Sequence, residues 1–174
     1  LIAYPYGCVE QTASRLIPLA LAYQSLPPGA RHGADARPLD QMLMTQRERL
    51  IAMAGPGAVF SWWGGDAHPS AFLTGYAYFA DWYASRSLGL SLPDSHWQTL
   101  LDAYAREGAK EPVTQRALLM WWMARMKLPV ANLLKGVELS LDGARANTDA
   151  DGSVLMGQPD SAEGLMVAEL LVGA

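Results

Sequence analysis

The chain has 174 residues, 51% hydrophobic, 17% charged and 9% aromatic, with a formal net charge of −4. That is the size of one domain, able to bury about 70% of its extended-chain surface, and low charge with high apolar content excludes intrinsic disorder. Without a basic stripe, nucleic acid is excluded as the natural partner, and a single cysteine, Cys8, excludes an intrachain disulfide and a cysteine zinc cluster.

Taken in chain order, the pattern is helix after helix. Glu10 to Leu26 is rich in Ala, Leu and Gln, and Pro27-Pro28-Gly29 stops it. Arg31 to Arg37 reads as a loop. Leu39 to Met53 sets Leu39, Met42, Leu43, Leu50 and Met53 near helical spacing, and Gly55-Pro56-Gly57 ends it. Ala58 to Pro69 is a Gly- and Trp-rich loop, after which Ser70 caps a helix running to about Arg86. Pro93 opens a helix striped with Trp97, Leu100, Leu101 and Tyr104, closed by Gly108. Pro112 opens the next, whose broad apolar surface (Leu118, Leu119, Trp121, Trp122, Met126) predicts burial on more than one side. Pro129 separates it from a helix at about Ala131 to Ala146. Asn147 to Asp160 reads as a Gly/Asp turn segment, and Ser161 to Val172 as a final helix.

The longest apolar run, Ala117 to Ala124, falls far short of the roughly 20 residues of a membrane span. No strand alternation or hairpin signal occurs. The expectation is therefore an all-α fold of about seven helices, arranged as stacked hairpins rather than a four-helix bundle. A weak internal echo supports this. Gly57-Ala58-Val59-Phe60 followed by Ser70-Ala71 resembles Gly152-Ser153-Val154 followed by Ser161-Ala162, about 91 residues on. The chain starts at Leu1 without a Met or signal peptide and ends on the apolar run Leu165 to Ala174, so 1–174 reads as one domain cut from something longer.

The chemistry concentrates in Tyr4-Pro5-Tyr6-Gly7-Cys8-Val9-Glu10-Gln11-Thr12. Cys8 and Gln11 are three apart at the start of a helix, where i and i+3 side chains are neighbours. A thiolate reaching the glutamine carbonyl carbon can expel ammonia and leave an internal thioester, closed through a ring of roughly fifteen atoms. Gly7 is expected to adopt a φ closed to other residues, and Pro5 to stiffen the approach. A helix N-terminus also stabilises negative charge on sulfur or on a tetrahedral oxygen. The bland alternative is that Cys8 is a small buried hydrophobe and Gln11 a surface residue.

Pro5-Tyr6-Gly7-Cys8-Val9-Glu10-Gln11, with Pro18 further on, resembles the Gly-Cys-x-Glu-Gln thioester motif of the alpha-2-macroglobulin and complement thioester proteins. The Tyr4-Pro5-Tyr6 lead and the Trp62-Trp63-Gly64-Gly65 loop look most like the bacterial alpha-2-macroglobulins. Phe72-Leu73-Thr74-Gly75-Tyr76 is similar to the family's Leu-Thr-Ala-Tyr-like helix, with Gly75 where Ala is usual. The resemblance implies an alpha/alpha toroid, incomplete in this length, and a thioester between Cys8 sulfur and the Gln11 acyl carbon. It also implies capture of proteases through lysine or hydroxyl groups after a bait segment elsewhere is cleaved. That makes a single-turnover trap rather than an enzyme, with target proteases and neighbouring domains of the parent chain as partners. It further implies a periplasmic or cell-envelope location, anchored through the parent. Glu10 is expected to shape the turn or its capping bonds. Tyr4, Tyr6, Trp62 and Trp63 are candidates for a wall shielding the bond, with ordinary hairpin packing as the alternative for the tryptophans.

Complement members relay the acyl group through a histidine. His68, in the Trp-rich loop, is the candidate here, while His32 and His96 read as surface residues. Toroids also host glycosidases, but no two of Asp66, Asp81, Asp149, Asp151 and Glu163 pair by spacing. Asp149-Ala150-Asp151-Gly152 lacks the later glutamate of a calcium loop. No cofactor or metal is expected. A Cys8–His68 hydrolase and a helical-repeat interaction module without a thioester are the readings from other classes.

Overall fold

The computed structural model describes residues 7–31, 37–65 and 68–137. Tyr4, Pro5, Tyr6, His32, Asp66, the Gly/Asp turn at 147–160, the helix expected at 161–172, the second half of the internal echo and the apolar end all lie outside the described residues.

Five α-helices follow one another among these residues: α1 (Val9–Ser25), α2 (Arg37–Ala52), α3 (Ala71–Ser87), α4 (Asp94–Glu107) and α5 (Val113–Arg125). Short 3-10 turns lie at Pro56–Ala58 and Gly108–Lys110, and 131–137 is helical. No strand occurs among the described residues, and the fold is all-α as expected. Helix boundaries follow local chemistry. The Ser70 hydroxyl accepts the Leu73 N–H at 3.1 Å to start α3. Gly89, at φ 72°, ends it: Leu90 N–H reaches Ser85 O at 2.8 Å and Gly89 N–H reaches Arg86 O at 3.2 Å, the paired bonds of a left-handed helix stop. Pro18 lies inside α1, which continues through it.

The chain divides into two compact units at Ala103/Tyr104, within α4. In the first, α1 packs on α3 and on α2. Val9, Ala13, Leu16 and Ala20 form one buried stripe on α1, and Leu73, Ala77, Ala80 and Ala84 form its counterpart on α3. Both stripes repeat at helical spacing, and their alanines let the two backbones approach closely. Leu43 and Leu50 complete the core from α2. In the second unit, Ala117, Leu119, Met120, Trp122 and Met123 of α5 are buried, so its apolar surface is indeed broad. A Cβ on Gly108 would lie 2.5 Å from the Tyr104 ring, which explains glycine there by close approach alone.

One ion pair crosses this core. Arg47 Nε of α2 meets Asp81 Oδ1 of α3 at 2.6 Å, with the Asp81 side chain only 3% exposed, and Arg47 Nε also reaches Ser85 Oγ at 2.9 Å. Burial pushes the Asp81 carboxyl above its ordinary value of 3.8, opposed by Arg47, His96 and Ser85. Asp81 thus belongs to a structural pair rather than a carboxylate dyad. His96 is not the surface residue expected from sequence. It is half-buried, meets Tyr78 edge-on at 5.3 Å between ring centroids, and helps line a cavity of about 50 Å³ with Asp81 and Phe60. The i, i+4 alternation of α4 is too weak around Asp94-Ser95-His96 to reveal this. Burial pushes Tyr78 up to about 12, and its hydroxyl donates to Ala58 O at 2.8 Å.

Arg47→Ala should destabilise the chain by about 3 kcal/mol in urea unfolding, because it strands a buried carboxylate. Since folding raises the Asp81 pKa, that group's contribution is full below pH 3.8 and is lost as pH rises through the folded value. The stability of wild type relative to Asp81→Asn should accordingly fall as pH is raised from 3.8, read from unfolding curves across that window.

Candidate functional site

The first turn of α1 is closed by the two residues singled out in the sequence. Cys8 is the N-cap, in extended conformation at φ −67°, ψ 171°. Its sulfur accepts the Gln11 N–H at 3.5 Å, and the Gln11 carbonyl oxygen Oε1 accepts the Cys8 N–H at 3.3 Å. This is a capping box in which sulfur stands where a serine or threonine oxygen is usual. It satisfies two backbone donors and folds the glutamine side chain back over the cysteine. Thr12 Oγ1 donates to Cys8 O at 3.0 Å and the Thr12 N–H reaches the same oxygen at 3.0 Å, fixing the cap from behind. Cys8 is 7% exposed.

Gly7 serves the motif differently from the sequence expectation. Its φ does not lie in the left-handed region, so no residue would be strained there on that account. A Cβ at position 7 would instead lie 3.3 Å from Gln11 Oε1 and 3.5 Å from Gln11 Cβ. Glycine keeps clear the space into which the glutamine folds.

Glu10 takes no part in the cap. Ser14 Oγ donates to Glu10 Oε1 at 3.1 Å and lies 2.9 Å from Tyr76 OH. With the serine proton committed to Glu10, the Tyr76 hydroxyl is the donor of the second bond. The chain Tyr76–Ser14–Glu10 ties the first turns of α1 to α3, and the carboxylate sits at the positive end of the α1 dipole. Neither Ser14 nor Tyr76 carries a sequence signal for this role beyond Tyr76's place in the Leu-Thr-Gly-Tyr string.

The aromatic loop docks on the same turn through its backbone. Trp62 O accepts the Val9 N–H at 2.9 Å, next to Cys8 in sequence. The loop is held in turn by α3: Phe60 N–H donates to Thr74 Oγ1 at 3.0 Å, and Ser70 N–H donates to Phe60 O at 2.9 Å. Thr74 is fully buried. Trp62 and Trp63 are 53% and 75% exposed, so neither is packed among the described helices. His68 is exposed, two residues before the Ser70 cap. Among the described residues no three His, Cys, Asp or Glu side chains gather into a metal-binding group. No helix among them is long and apolar enough to cross a membrane. A groove of about 720 Å³ between α1 and α2 involves Pro18, Leu19 and Met42, and neither Cys8 nor Gln11 lines it.

Replacing Thr74 by Val should leave the Phe60 N–H buried without a partner, at a cost of about 1–3 kcal/mol. Amide exchange should then accelerate at both Phe60 and Val9, since the loop held at Thr74 is the one that caps Val9.

No family model matches the chain. It is 48% identical over 181 aligned residues to an alpha-2-macroglobulin of Ralstonia nicotianae, an alignment covering 98% of this chain and 11% of the relative. Among solved structures it is similar to the crystal structure of native alpha-2-macroglobulin from Escherichia coli spanning domain MG7 to the C-terminus. That match has a TM-score of 0.63 and 19% identity, over 98% of this chain and 27% of that one. It is also similar to the native conformation of the Escherichia coli protein seen by cryo-electron microscopy, with a TM-score of 0.58 and 20% identity, over 98% of this chain and 11% of that one. The chain thus spans about a tenth of the curated relative's length, and over that segment it is a homologue of alpha-2-macroglobulin.

Proposed function

We propose that 1–174 is the thioester-bearing segment of a bacterial alpha-2-macroglobulin-like protease inhibitor, forming part of an alpha/alpha toroid. The observation that supports this reading is the reciprocal cap at the mouth of α1, in which the Cys8 sulfur accepts the Gln11 N–H and the Gln11 side-chain carbonyl accepts the Cys8 N–H. A capped helix start needs neither a cysteine nor a glutamine in those roles, because serine and glutamate serve as well. The pair chosen here is the one that can also react.

In the reaction, the Cys8 sulfur attacks the Gln11 amide carbon. The carbon–nitrogen bond breaks, the thiol proton leaves with ammonia, and a carbon–sulfur bond remains. A lysine amine or a hydroxyl on an attacking protease then displaces sulfur, giving an amide or ester and a free Cys8 thiol. Each site acts once, so the protein is a covalent trap and not an enzyme. Gly7 and Glu10 support the loop, with Pro5 and Tyr6 as their expected partners in the approach to it. Tyr4, Trp62 and Trp63 are assigned to the shield, completed by neighbouring domains of the parent chain, and His68 is kept as a relay candidate. Exposed indoles on a loop bonded to Val9 suit a surface covered by another domain, since large exposed apolar side chains mark interaction sites. The proposed location is the periplasm or cell envelope, with any membrane anchor in the parent chain. The remaining reading, a helical-repeat interaction module with no active thioester, accounts for the cap as a helix start but gives no reason for sulfur where a hydroxyl oxygen would serve.

Mass spectrometry of the parent protein decides between them. An intact bond makes the protein lighter than its sequence by one ammonia, and methylamine adds its own whole mass to the thioester form while exposing one thiol. The plain sequence mass with Cys8 freely alkylated would overturn the proposal. Cys8→Ala should abolish covalent protease capture altogether. Gln11→Glu should fail to close the bond unaided, because hydroxide leaves less readily than ammonia.

A further inference from the structure

We infer that the backbone N–H of Cys8 is the oxyanion donor for the Gln11 carbonyl, both when the thioester forms and when it is spent, and that Gly7 is a positioning residue for this contact. The inference rests on the thioester reading above and adds to it the group that carries the transition-state charge.

A helix start offers several backbone N–H groups, yet three of those in this turn are already given away. Val9 N–H goes to Trp62 O and Thr12 N–H to Cys8 O, while Gln11 N–H goes to the Cys8 sulfur. The Cys8 N–H is directed at Gln11 Oε1, the atom that becomes negative when sulfur or an amine adds to the acyl carbon. At 3.3 Å the contact is longer than the roughly 2.7–3.1 Å of a working oxyanion donor, and it shortens as charge develops on the oxygen. The bond is therefore stronger in the transition state than in the ground state, which is the condition for catalysis. Trp62 contributes by occupying Val9 N–H, and the bond observed to Oε1 is that of the Cys8 N–H.

The balance closes without any further reactant. On formation, sulfur adds to the Gln11 carbon, the electron pair of the carbonyl moves onto Oε1, and its return expels ammonia with the thiol proton. On capture, an amine adds, the pair moves to Oε1 again, and its return expels the Cys8 thiolate, which takes the amine's proton. Both tetrahedral states place their charge on the same oxygen against the same N–H.

Gly7 is what keeps that oxygen in place. The backbone of residue 7 tolerates a side chain, but its Cβ would press on Oε1 from 3.3 Å and turn the carbonyl away from the Cys8 N–H. The test uses the full-length parent protein and the variants Gly7→Ala and Gly7→Val, with folding checked by circular dichroism. The readout is release of the Cys8 thiol by methylamine. Thiol release should slow in order of side-chain size, by at least about tenfold for Gly7→Val, since losing one oxyanion donor costs up to 10²–10³ in rate. Folded variants that carry the thioester and react at the wild-type rate would overturn the inference while leaving the thioester reading intact. A wild-type protein with no thioester would remove both. Should the variants not fold, isotope-edited infrared spectra of the wild-type thioester still decide it. A carbonyl stretch shifted down by hydrogen bonding supports the inference, and the frequency of a free thioester overturns it.

Discussion

A helix cannot begin without finding partners for its first backbone donors, and in this chain that requirement is met by a cysteine and a glutamine closing on each other. The rest of the first unit is arranged to hold that closure. Thr12 grips the Cys8 carbonyl from inside the turn, and the stripe Val9, Ala13, Leu16 and Ala20 starts one residue after the cap and pins α1 to its neighbours. The cap is thus the first contact of the buried stripe, and displacing it would disturb the packing of the whole helix.

The aromatic loop is the second arm of the arrangement. Between α2 and α3 the chain must cross the mouth of α1, and it does so as irregular backbone whose polar groups need partners. Thr74 and Ser70 supply two of these bonds from α3, the Tyr78 hydroxyl supplies another at Ala58, and Trp62 hands its carbonyl to Val9. Because these anchors come from one helix, α3 positions the loop and the loop positions the cap. The Arg47–Asp81 pair sits under the same crossing and ties α2 to α3.

Most of the architecture was legible because the punctuation is strong. Ser70 and the prolines at 27, 93 and 112 each mark a boundary by a local mechanism, and the observed helix limits fall within a residue or two of them, while α2 stops four residues before Pro56. The roles of Cys8 and Gln11 as neighbours at a helix start were legible from spacing alone. What was not legible depends on distant partners. The purpose of Gly7 is set by where the Gln11 side chain folds and not by its own backbone angle. Asp81 is buried and His96 half-buried because residues from α2, the following loop, α3 and α4 meet around one small cavity. Tyr76 reaches Ser14 across 62 residues of chain, and no periodicity announces a hydrogen bond of that kind.

The sulfur-for-oxygen cap has one further consequence. Since the same two side chains start the helix and make up the proposed reactive pair, the chemical state of the site and the mechanical state of the first turn would be a single variable. Joining Cys8 to Gln11 in the proposed thioester would staple the turn shut. Parting them, with a bulky group left on the glutamine, would withdraw the side chain that latched it. A bond broken at one atom would therefore be felt as slack at the head of α1, and through Val9 and Trp62 O by the loop that lies across it.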